Sequence, residues 1–410
     1  MNQTKMFILY TISYLLSFHL CNAINTNDLT LQLVQVVFRH GARTPSRAEA
    51  LRVNVTNSAI YWPEGHLQLT NVGKQQAYKL GTFLRKKYDQ FLGPYNPQEY
   101  YALSTGYTRT MMSLQLALAG LFPPAIQDLW SNKLHWRPVP FYRNPIDLDI
   151  TLAPHQTKLC KDLYHETINN SIDFQRNLSK YTEFLENMEN RTGFAFKKDF
   201  LYNSVWTLYA IDYHASINHF LNNGQEKETV TLIENPFNFQ KAMGLPLPDI
   251  YTQNDSVYAT IREVSKLSVD GMSMTPQLNR LNGGTLVRQF IENINKNRNA
   301  ARPKKMYLYC SHDGTLHAFS KAQDFEAFYL PPFGSALIME KYADSQKSEY
   351  LRMLAWDPAN GEQVETVKIG NCDELCPFKD YLEIVKDNTA TDEDLEYLSN
   401  EANKGSLLNE

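Results

Sequence analysis

The sequence predicts an α/β fold: a mixed, largely parallel sheet flanked by helices, with a mostly helical cap inserted in the middle. Two segments, 31–38 and 306–310, are rich in β-branched and aromatic residues. Such runs are typical of strands buried on both faces inside a sheet that helices cover. The first third of the chain alternates strand and helix patterns, whereas the stretch from about 145 to 300 is mostly helical and polar. Both ends of the chain are therefore predicted to build one α/β domain.

Turn and cap signals delimit the elements of the first third. The strand over 31–38 stops abruptly after Phe38. Thr70 is a favourable helix N-cap, and apolar residues then recur at helical spacing until Gly93 ends the pattern. A short strand over 100–104 leads into an amphipathic helix that ends before Pro123.

The last third returns to strands. After the strand over 306–310, further strands are predicted from 336 to 340 and from 350 to 355. The predicted organisation is a signal peptide at 1–23, a discontinuous α/β domain at 24–144 and 300–385, a helical cap at 145–299 and a polar tail at 386–410.

The composition excludes several classes of protein. Hydrophobic residues make up 43% of the chain and aromatic residues 12%, which is ample for a packed interior. The formal net charge of −4 lacks the basic character of a nucleic-acid binder. No polybasic stretch indicates a membrane surface.

The N-terminus predicts a cleaved secretory signal. Lys5 precedes an apolar run from Met6 to Leu20, and Cys21-Asn22-Ala23 supplies small residues for cleavage. The alternative is an N-terminal anchor, but the run is short and impure for a membrane span. No second apolar segment of spanning length follows. A secreted or lysosomal protein without a stable membrane anchor is therefore expected.

Cysteines and glycosylation sequons agree with an oxidising compartment. Cys372 and Cys376 enclose a tight loop that a disulfide would close. Cys160 and Cys310 lack the paired spacing of a four-cysteine metal site, and no metal is expected. Cys310 is interpreted as a buried inert thiol. Sequons predict glycosylated surface loops at Asn54, Asn169, Asn177, Asn190 and Asn254.

Two histidine motifs follow the two buried strands. The first strand runs into Arg39-His40-Gly41-Ala42-Arg43, and the strand over 306–310 runs into Ser311-His312-Asp313. In open α/β sheets, ligands bind beyond the carboxyl ends of the strands. If the two strands are parallel within one sheet, the two histidines meet at that crevice.

These residue types suit phosphoryl transfer. The guanidinium groups of Arg39 and Arg43 match the oxygens of a phosphate, and a neutral His40 imidazole is a competent nucleophile toward phosphorus. His312 can donate a further hydrogen bond to the phosphoryl group. Asp313, protonated in acid, can give its proton to the leaving alkoxide. The absence of a side chain on Gly41 is expected to let the backbone approach the anion. Taken alone, each histidine could equally be a hydrogen-bonded residue of the core or of a turn.

The motifs resemble those of the histidine acid phosphatases, in the prostatic and lysosomal branch. The likeness covers residues 31 to about 380. The matching segments are Arg39–Pro45, Leu67–Thr70, Ser104–Thr110, Leu121–Pro124, Ser311–Thr315, Pro331–Ser335 and Cys372–Pro377.

The resemblance implies a phosphoglycerate mutase-like fold and a metal-independent acid phosphomonoesterase without cofactor. It implies that His40 forms a phosphohistidine, that Arg39, Arg43 and His312 bind the phosphoryl group, and that Asp313 is the proton donor. The expected partner is a small phosphomonoester substrate, and a homodimer would fit the resemblance. Vertebrate members pair the cysteine that matches Cys160 with a cysteine near the C-terminus, which this chain lacks, so Cys160 is either free or paired between chains.

Leu103 stands where the family is expected to carry a third phosphate-binding arginine, just before Ser104-Thr105. Nearby Arg109 is interpreted as a structural ion-pair partner. A lost contact to the dianion would cost on the order of 1.5–3 kcal/mol. The alternative function is therefore a weakened or inactive relative that binds an anionic ligand or acts as a secreted interaction protein. A third option keeps catalysis, with Leu103 as an apolar wall that favours lipid or aryl esters.

Overall fold

The structure is a computed structural model that describes residues 28–44, 46–47, 63–192, 255–328 and 330–407. Its strands are β1 (Thr30–Arg39), β2 (Tyr100–Ser104), β3 (Tyr142–Arg143), β4 (Met306–Ser311), β5 (Ala336–Ala343), β6 (Glu349–Trp356), β7 (Val364–Val367) and β8 (Cys376–Pro377). Its α-helices are α1 (Asn71–Leu92), α2 (Thr108–Leu121), α3 (Lys158–Asn170), α4 (Ile172–Ser179), α5 (Thr182–Thr192), α6 (Asp255–Gly271), α7 (Pro276–Asn279), α8 (Thr285–Arg298), α9 (Asp313–Ala322), α10 (Phe378–Val385) and α11 (Asp392–Leu407).

The strands form one mixed sheet in the order β3-β2-β4-β1-β5-β6-β7, with β8 paired to β6. The pairings from β3 through β2 and β4 to β1 are parallel, and the pairings of β1 with β5, β5 with β6 and β6 with β7 are antiparallel. The predicted fold class, a mixed sheet with flanking helices, is confirmed. The predicted strands near 31, 100, 306, 336 and 350 are all present.

Alternating side chains of β1 pack on both faces of the sheet. Val34 and Phe38 lie on one face, with the apolar residues of α1 and α2. Leu33 and Val37 lie on the other, with apolar residues of α8 and α9. The run of apolar residues in β1 therefore reflects helices on both sides, as expected for the parallel part of a sheet.

Helix α1 begins and ends at the predicted residues. The Thr70 hydroxyl accepts a hydrogen bond from the amide of Gly73 (3.1 Å), which caps an otherwise unpaired donor. At the other end, Gly93 has φ of +63°, and its amide donates to the carbonyl of Asp89 (2.9 Å). A glycine suits this backbone conformation because it has no Cβ to clash.

The described helices α3 to α8 lie between β3 and β4 along the chain, the interval predicted as a helical cap. Part of the segment predicted as a polar tail, 386–410, forms helix α11 instead. Its Leu398 is fully buried against Leu159, Cys160 and Leu281. Asp394 of the same helix pairs with Arg280 Nε at 3.0 Å. Asp392, the first residue of the helix, pairs with Arg288, so one apolar contact and two ion pairs hold α11, and the polar composition did not indicate them.

The predicted disulfide between Cys372 and Cys376 is confirmed, with an S–S distance of 2.03 Å. Cys310 is a buried free thiol, and burial raises its pKa well above 9.0, which agrees with an inert role. Cys160 is also free and buried, and burial raises its pKa to about 11.

Two of the predicted glycosylation sites lie in described, exposed positions. Asn169 is in α3 and Asn177 in α4, so these sequons are on helices rather than on the predicted loops. The signal peptide at 1–23, Asn54, Asn254 and the side chain of Asn190 lie outside the described residues. Among the described helices, none combines the length and the apolar character needed to cross a bilayer.

Candidate active site

The parallel pairing of β1 and β4 brings the two histidine motifs together. Phe38 pairs with Cys310 and Arg39 with Ser311, so both strands end at the same level. The amide of His40 continues the ladder by donating to the carbonyl of Ser311 (3.0 Å). The rings of His40 and His312 lie 5.5 Å apart, edge to face. The predicted meeting of the two motifs at the carboxyl edge of the sheet is present in the structure.

The hydrogen bonds of His40 determine which of its ring nitrogens carries the lone pair. Its Nδ1 lies 2.7 Å from the carbonyl oxygen of Gly41. Because a carbonyl only accepts, Nδ1 carries the proton and Nε2 carries the lone pair. That lone pair accepts a hydrogen bond from Nε of Arg109 (3.1 Å). The unprotonated nitrogen of His40 therefore faces a guanidinium group.

The surroundings of His40 keep its imidazole neutral. Burial, joined by the positive charges of Arg109, Arg39 and Arg43, lowers the pKa of His40 well below 6.5. Burial disfavours the charged form, and neighbouring cations repel an added proton. A neutral imidazole in acid is what nucleophilic attack on phosphorus requires.

Arg39 is held rigidly by three contacts. Its Nη1 donates to the carbonyl of Pro331 (2.6 Å), and its Nη2 pairs with Oδ2 of Asp313 (3.0 Å). The guanidinium stacks on Phe333, with Cζ 3.5 Å from the ring centroid. Such preorganisation lowers the entropy lost when a ligand is bound.

Arg43 lies on the loop between β1 and α1. Its backbone forms an antiparallel bridge with Leu69, and its Nη1 donates to the carbonyl of Thr44 (3.1 Å). The positive charge of Arg43 contributes to the lowered pKa of His40. Arg43 thus belongs to the same positively charged site.

His312 is oriented by a chain of hydroxyl groups. The Thr105 hydroxyl donates to Oγ1 of Thr110 (2.9 Å), which leaves the Thr105 oxygen to accept from Nε2 of His312 (3.1 Å). Burial and the charge of Arg109 lower the pKa of His312 well below 6.5, and the charge of Asp313 opposes them. Thr105 was not assigned a role from the sequence; its place directly after β2 is the signal that could have identified it.

Asp313 occupies the first turn of α9, directly after His312. Its Oδ1 accepts from the amide of Gly314 (2.8 Å), and its Oδ2 pairs with Arg39. The helix N-terminus and the guanidinium both favour the carboxylate in the free protein. The structure therefore places Arg39, His40, Arg43, His312 and Asp313, the five predicted site residues, in one cluster.

The small size of Gly41 serves packing against α1 rather than approach to an anion. A Cβ on Gly41 would lie 2.1 Å from the carbonyl oxygen of Gly73, closer than any real contact. The converse also holds, since a Cβ on Gly73 would lie 2.0 Å from the carbonyl oxygen of Ala42. The two glycines let the loop after His40 press against the start of α1.

The structure reverses the expected roles of Leu103 and Arg109. Leu103 is 7% exposed and packs into the apolar core with Val37 and Leu152. Arg109, interpreted from the sequence as a structural ion-pair partner, instead contacts Nε2 of His40, and its guanidinium lies 4.5 Å from the Tyr107 ring centroid. The guanidinium that contacts His40 therefore comes from the first turn of α2.

Replacing Leu103 with arginine should therefore destabilise the protein without raising its activity. The side chains that pack around this buried position are apolar, so a guanidinium there would be poorly solvated. The expected cost is about 3 kcal/mol or more, since an unpaired charge is buried. Urea unfolding would measure this loss, with Leu103→Met as a volume-matched control. A faster variant of unchanged stability would mean that position 103 faces the phosphate.

Comparison with known proteins shows the family of the chain. A profile of the histidine phosphatase superfamily (branch 2) matches residues 30–355. Prostatic acid phosphatase of Bos taurus is 28% identical over 359 residues, which cover 87% of this chain and 84% of that protein. Lysosomal acid phosphatase of Xenopus laevis is 28% identical over 371 residues, which cover 88% and 77%.

A solved structure shares the fold. The Hafnia alvei phytase in complex with myo-inositol hexakis sulphate aligns with a TM-score of 0.64 and 15% identity, over 88% of this chain and 98% of that chain. The family resemblance of the sequence motifs is thereby confirmed. The profile spans most of the chain, both sheet strands that carry the histidine motifs and the site between them, and on this ground the chain belongs to the histidine phosphatase superfamily, branch 2.

Proposed function

We propose that the protein is an acid phosphomonoesterase that forms a phosphohistidine at His40 and needs no metal. Membership of the family and similarity to acid phosphatases support hydrolysis of phosphomonoesters. The observation that carries the proposal is the state of His40: Nδ1 is bonded to the Gly41 carbonyl, and the Nε2 lone pair is directed at Arg109. A buried, neutral imidazole beside a cation can attack an anionic phosphorus centre once the phosphoryl oxygens take over the Arg109 hydrogen bond and free the Nε2 lone pair.

Three guanidinium groups and His312 would hold the phosphoryl oxygens. Arg109 already contacts His40 Nε2, so a phosphorus atom in line with that nitrogen would bring its oxygens within reach of the same guanidinium. Arg39 and Arg43 add charge around the nucleophile. An anion would also favour the imidazolium form of His312, which gains a second N–H donor besides the one that Thr105 holds. This set cancels the charge on the transferred group.

Asp313 would supply and recover the proton. In the first step the His40 Nε2–phosphorus bond forms, the phosphorus–ester oxygen bond breaks, and protonated Asp313 gives its proton to the leaving oxygen. In the second step a water attacks the phosphohistidine, Asp313 takes a proton from it, and phosphate and free His40 result. A bound phosphoryl group competes for Arg39, which pairs with Asp313 in the free protein, and so favours the protonated acid.

Activity is therefore expected to persist well into acid. Because the pKa of His40 lies well below 6.5, the nucleophile stays neutral at pH values where an ordinary histidine is protonated. The pH profile of kcat/KM for an aryl phosphate should show its acid limb clearly below 6.5 and should be unchanged by a chelator. An acid limb near 6.5 would mean that His40 is not the titrating nucleophile, and a loss of activity with chelator would exclude metal independence.

The alternative of an inactive anion-binding relative rested on Leu103. That side chain lies in the core, whereas Arg109 contributes a guanidinium to the site, so the motivating observation no longer favours it. Phosphate binding by a folded wild-type protein without any turnover would restore this alternative.

We also propose a secreted or lysosomal location for the protein, supported by its similarity to prostatic and lysosomal acid phosphatases. The homodimer stays a prediction that sedimentation of the purified protein can test.

A further inference from the structure

The segment that contains Leu152 is hydrogen-bonded to the turn that carries His312 and Asp313. The carbonyl of Leu152 accepts from the Ser311 hydroxyl (2.8 Å) and from the Thr315 hydroxyl (2.6 Å). These two hydroxyl groups flank the His312-Asp313 pair along the chain. These two hydrogen bonds hold the Leu152 carbonyl beside the turn that carries His312 and Asp313. The short helical turn Pro154–Gln156 follows Leu152 closely and therefore lies next to the same turn.

This turn places His155 at the edge of the site. The residue is 6% exposed, and its ring lies 6.3 Å from that of His312, edge to face. Its Nε2 is 3.8 Å from the position that a Cβ on Gly314 would take, and the methyl carbon of Met272 is 3.2 Å from the same point. His155 and Met272 thus share a wall against the residue that follows Asp313.

The imidazole of His155 is neutral, and no hydrogen bond joins it to another residue in the described part of the chain. Burial lowers its pKa to about 4, the charge of Asp313 opposes this shift, and that of Lys161 adds to it. A neutral imidazole carries one N–H donor and one lone pair. Neither ring nitrogen is among the fully enclosed, unpartnered polar atoms of the described residues, so the ring is open to solvent or to a ligand that enters the site. A ligand can therefore supply the hydrogen bond that the described residues do not.

We propose that His155 is a specificity-determining residue that hydrogen-bonds a hydroxyl group of the substrate alcohol, next to the ester oxygen. The inference rests on the proposed function, because Asp313 then marks the side of the pocket where the alcohol leaves. A ring beside residue 314 borders that side, and a neutral imidazole can donate to or accept from a hydroxyl. The preferred substrates are phosphate monoesters of polyhydroxy alcohols. An ester of the same shape without hydroxyl groups leaves the ring unsatisfied.

Two esters of matched shape test this inference. Glycerol 2-phosphate and isopropyl phosphate share a secondary ester carbon and differ in two hydroxyl groups. His155→Leu should lower kcat/KM for glycerol 2-phosphate by about three- to tenfold, the value of one neutral hydrogen bond. The same variant should leave kcat/KM for isopropyl phosphate within about twofold of the wild type. His155→Gln keeps polar atoms at a similar reach and should recover part of the preference.

Met272→Leu provides the matched control, because it alters the same wall without changing its hydrogen-bonding groups. It should leave the ratio of the two kcat/KM values unchanged. An equal loss on both esters in His155→Leu would overturn the inference and assign the ring a structural role. A wild type that hydrolyses neither of the two esters nor an aryl phosphate would instead refute the proposed function. The failure of the inference and the failure of the proposed function are therefore distinguishable.

Discussion

Replacement of His40 with alanine is expected to lower kcat/KM for an aryl phosphate by at least about 10⁴-fold, because the variant lacks the group that we propose to form the covalent intermediate. The arginines that hold the phosphoryl group would remain in place. Arg39 keeps its bonds to Pro331 and Asp313, which do not involve the His40 side chain. The variant should therefore still bind inorganic phosphate, seen as a rise in its Tm when phosphate is added.

Trapping of a phosphorylated form of the protein tests directly whether His40 is the nucleophile. Rapid acid-free quenching of wild type with labelled aryl phosphate should trap phosphate on the protein in an acid-labile form, and His40→Ala should trap none. His135→Ala, which removes an exposed imidazole outside the site, serves as the control and should behave as wild type. A trapped phosphoenzyme in the His40 variant, or a loss of only a few fold, would assign the nucleophile elsewhere.

Replacement of Arg109 with leucine should give the second largest effect, a fall in kcat/KM of about 10²- to 10³-fold. The variant loses one guanidinium directed at the transferred group, and lysine should recover only part of the rate because it keeps the charge without the planar fork. Arg137→Leu is the matched control. That arginine pairs with Asp128 at 2.8 Å, and its guanidinium lies 4.7 Å from the ring centroid of Tyr95. The control should keep wild-type activity.

The pH profile distinguishes a direct role of Arg109 from a structural one. The charge of Arg109 helps to lower the pKa of His40, so its removal should raise that pKa. Protonated His40, which cannot attack, would then persist to higher pH. The acid limb of kcat/KM in Arg109→Leu should therefore move to higher pH than in wild type. A large loss of rate with an unmoved limb would show that Arg109 acts through the fold alone.

Local signals in the sequence account for much of the fold. The run of β-branched residues in β1, the cap at Thr70 and the glycine at position 93 specify element type and ends within one or two residues. These signals depend on backbone preferences and on nearest neighbours, which the chain alone contains. The tight spacing of Cys372 and Cys376 is local in the same sense, and the disulfide forms as predicted.

The amphipathic pattern of α11 was missed because its apolar contacts are few. A helix that docks through one fully buried leucine and two ion pairs has a composition close to that of a solvated tail. Tertiary packing stabilises helix α11, and the helix propensities of its residues do not indicate the surface against which it packs.

The sequence by itself determined that two buried strands end in histidine motifs, and hence that His40 and His312 meet if the strands are parallel. Only the tertiary structure decided which other side chains reach them. Successive side chains of β2 point to opposite faces of the sheet. The side chain of Leu103 lies on a face where it packs into the apolar core. Arg109, five residues after the strand, is carried by the first turn of α2 back to His40. His155 lies on a turn that is distant in sequence from both histidine motifs. The Ser311 and Thr315 hydroxyl groups bind the Leu152 carbonyl and so hold this turn beside the β4–α9 connection. Such placements depend on the relative positions of elements distant in sequence, which residue types and spacing do not encode.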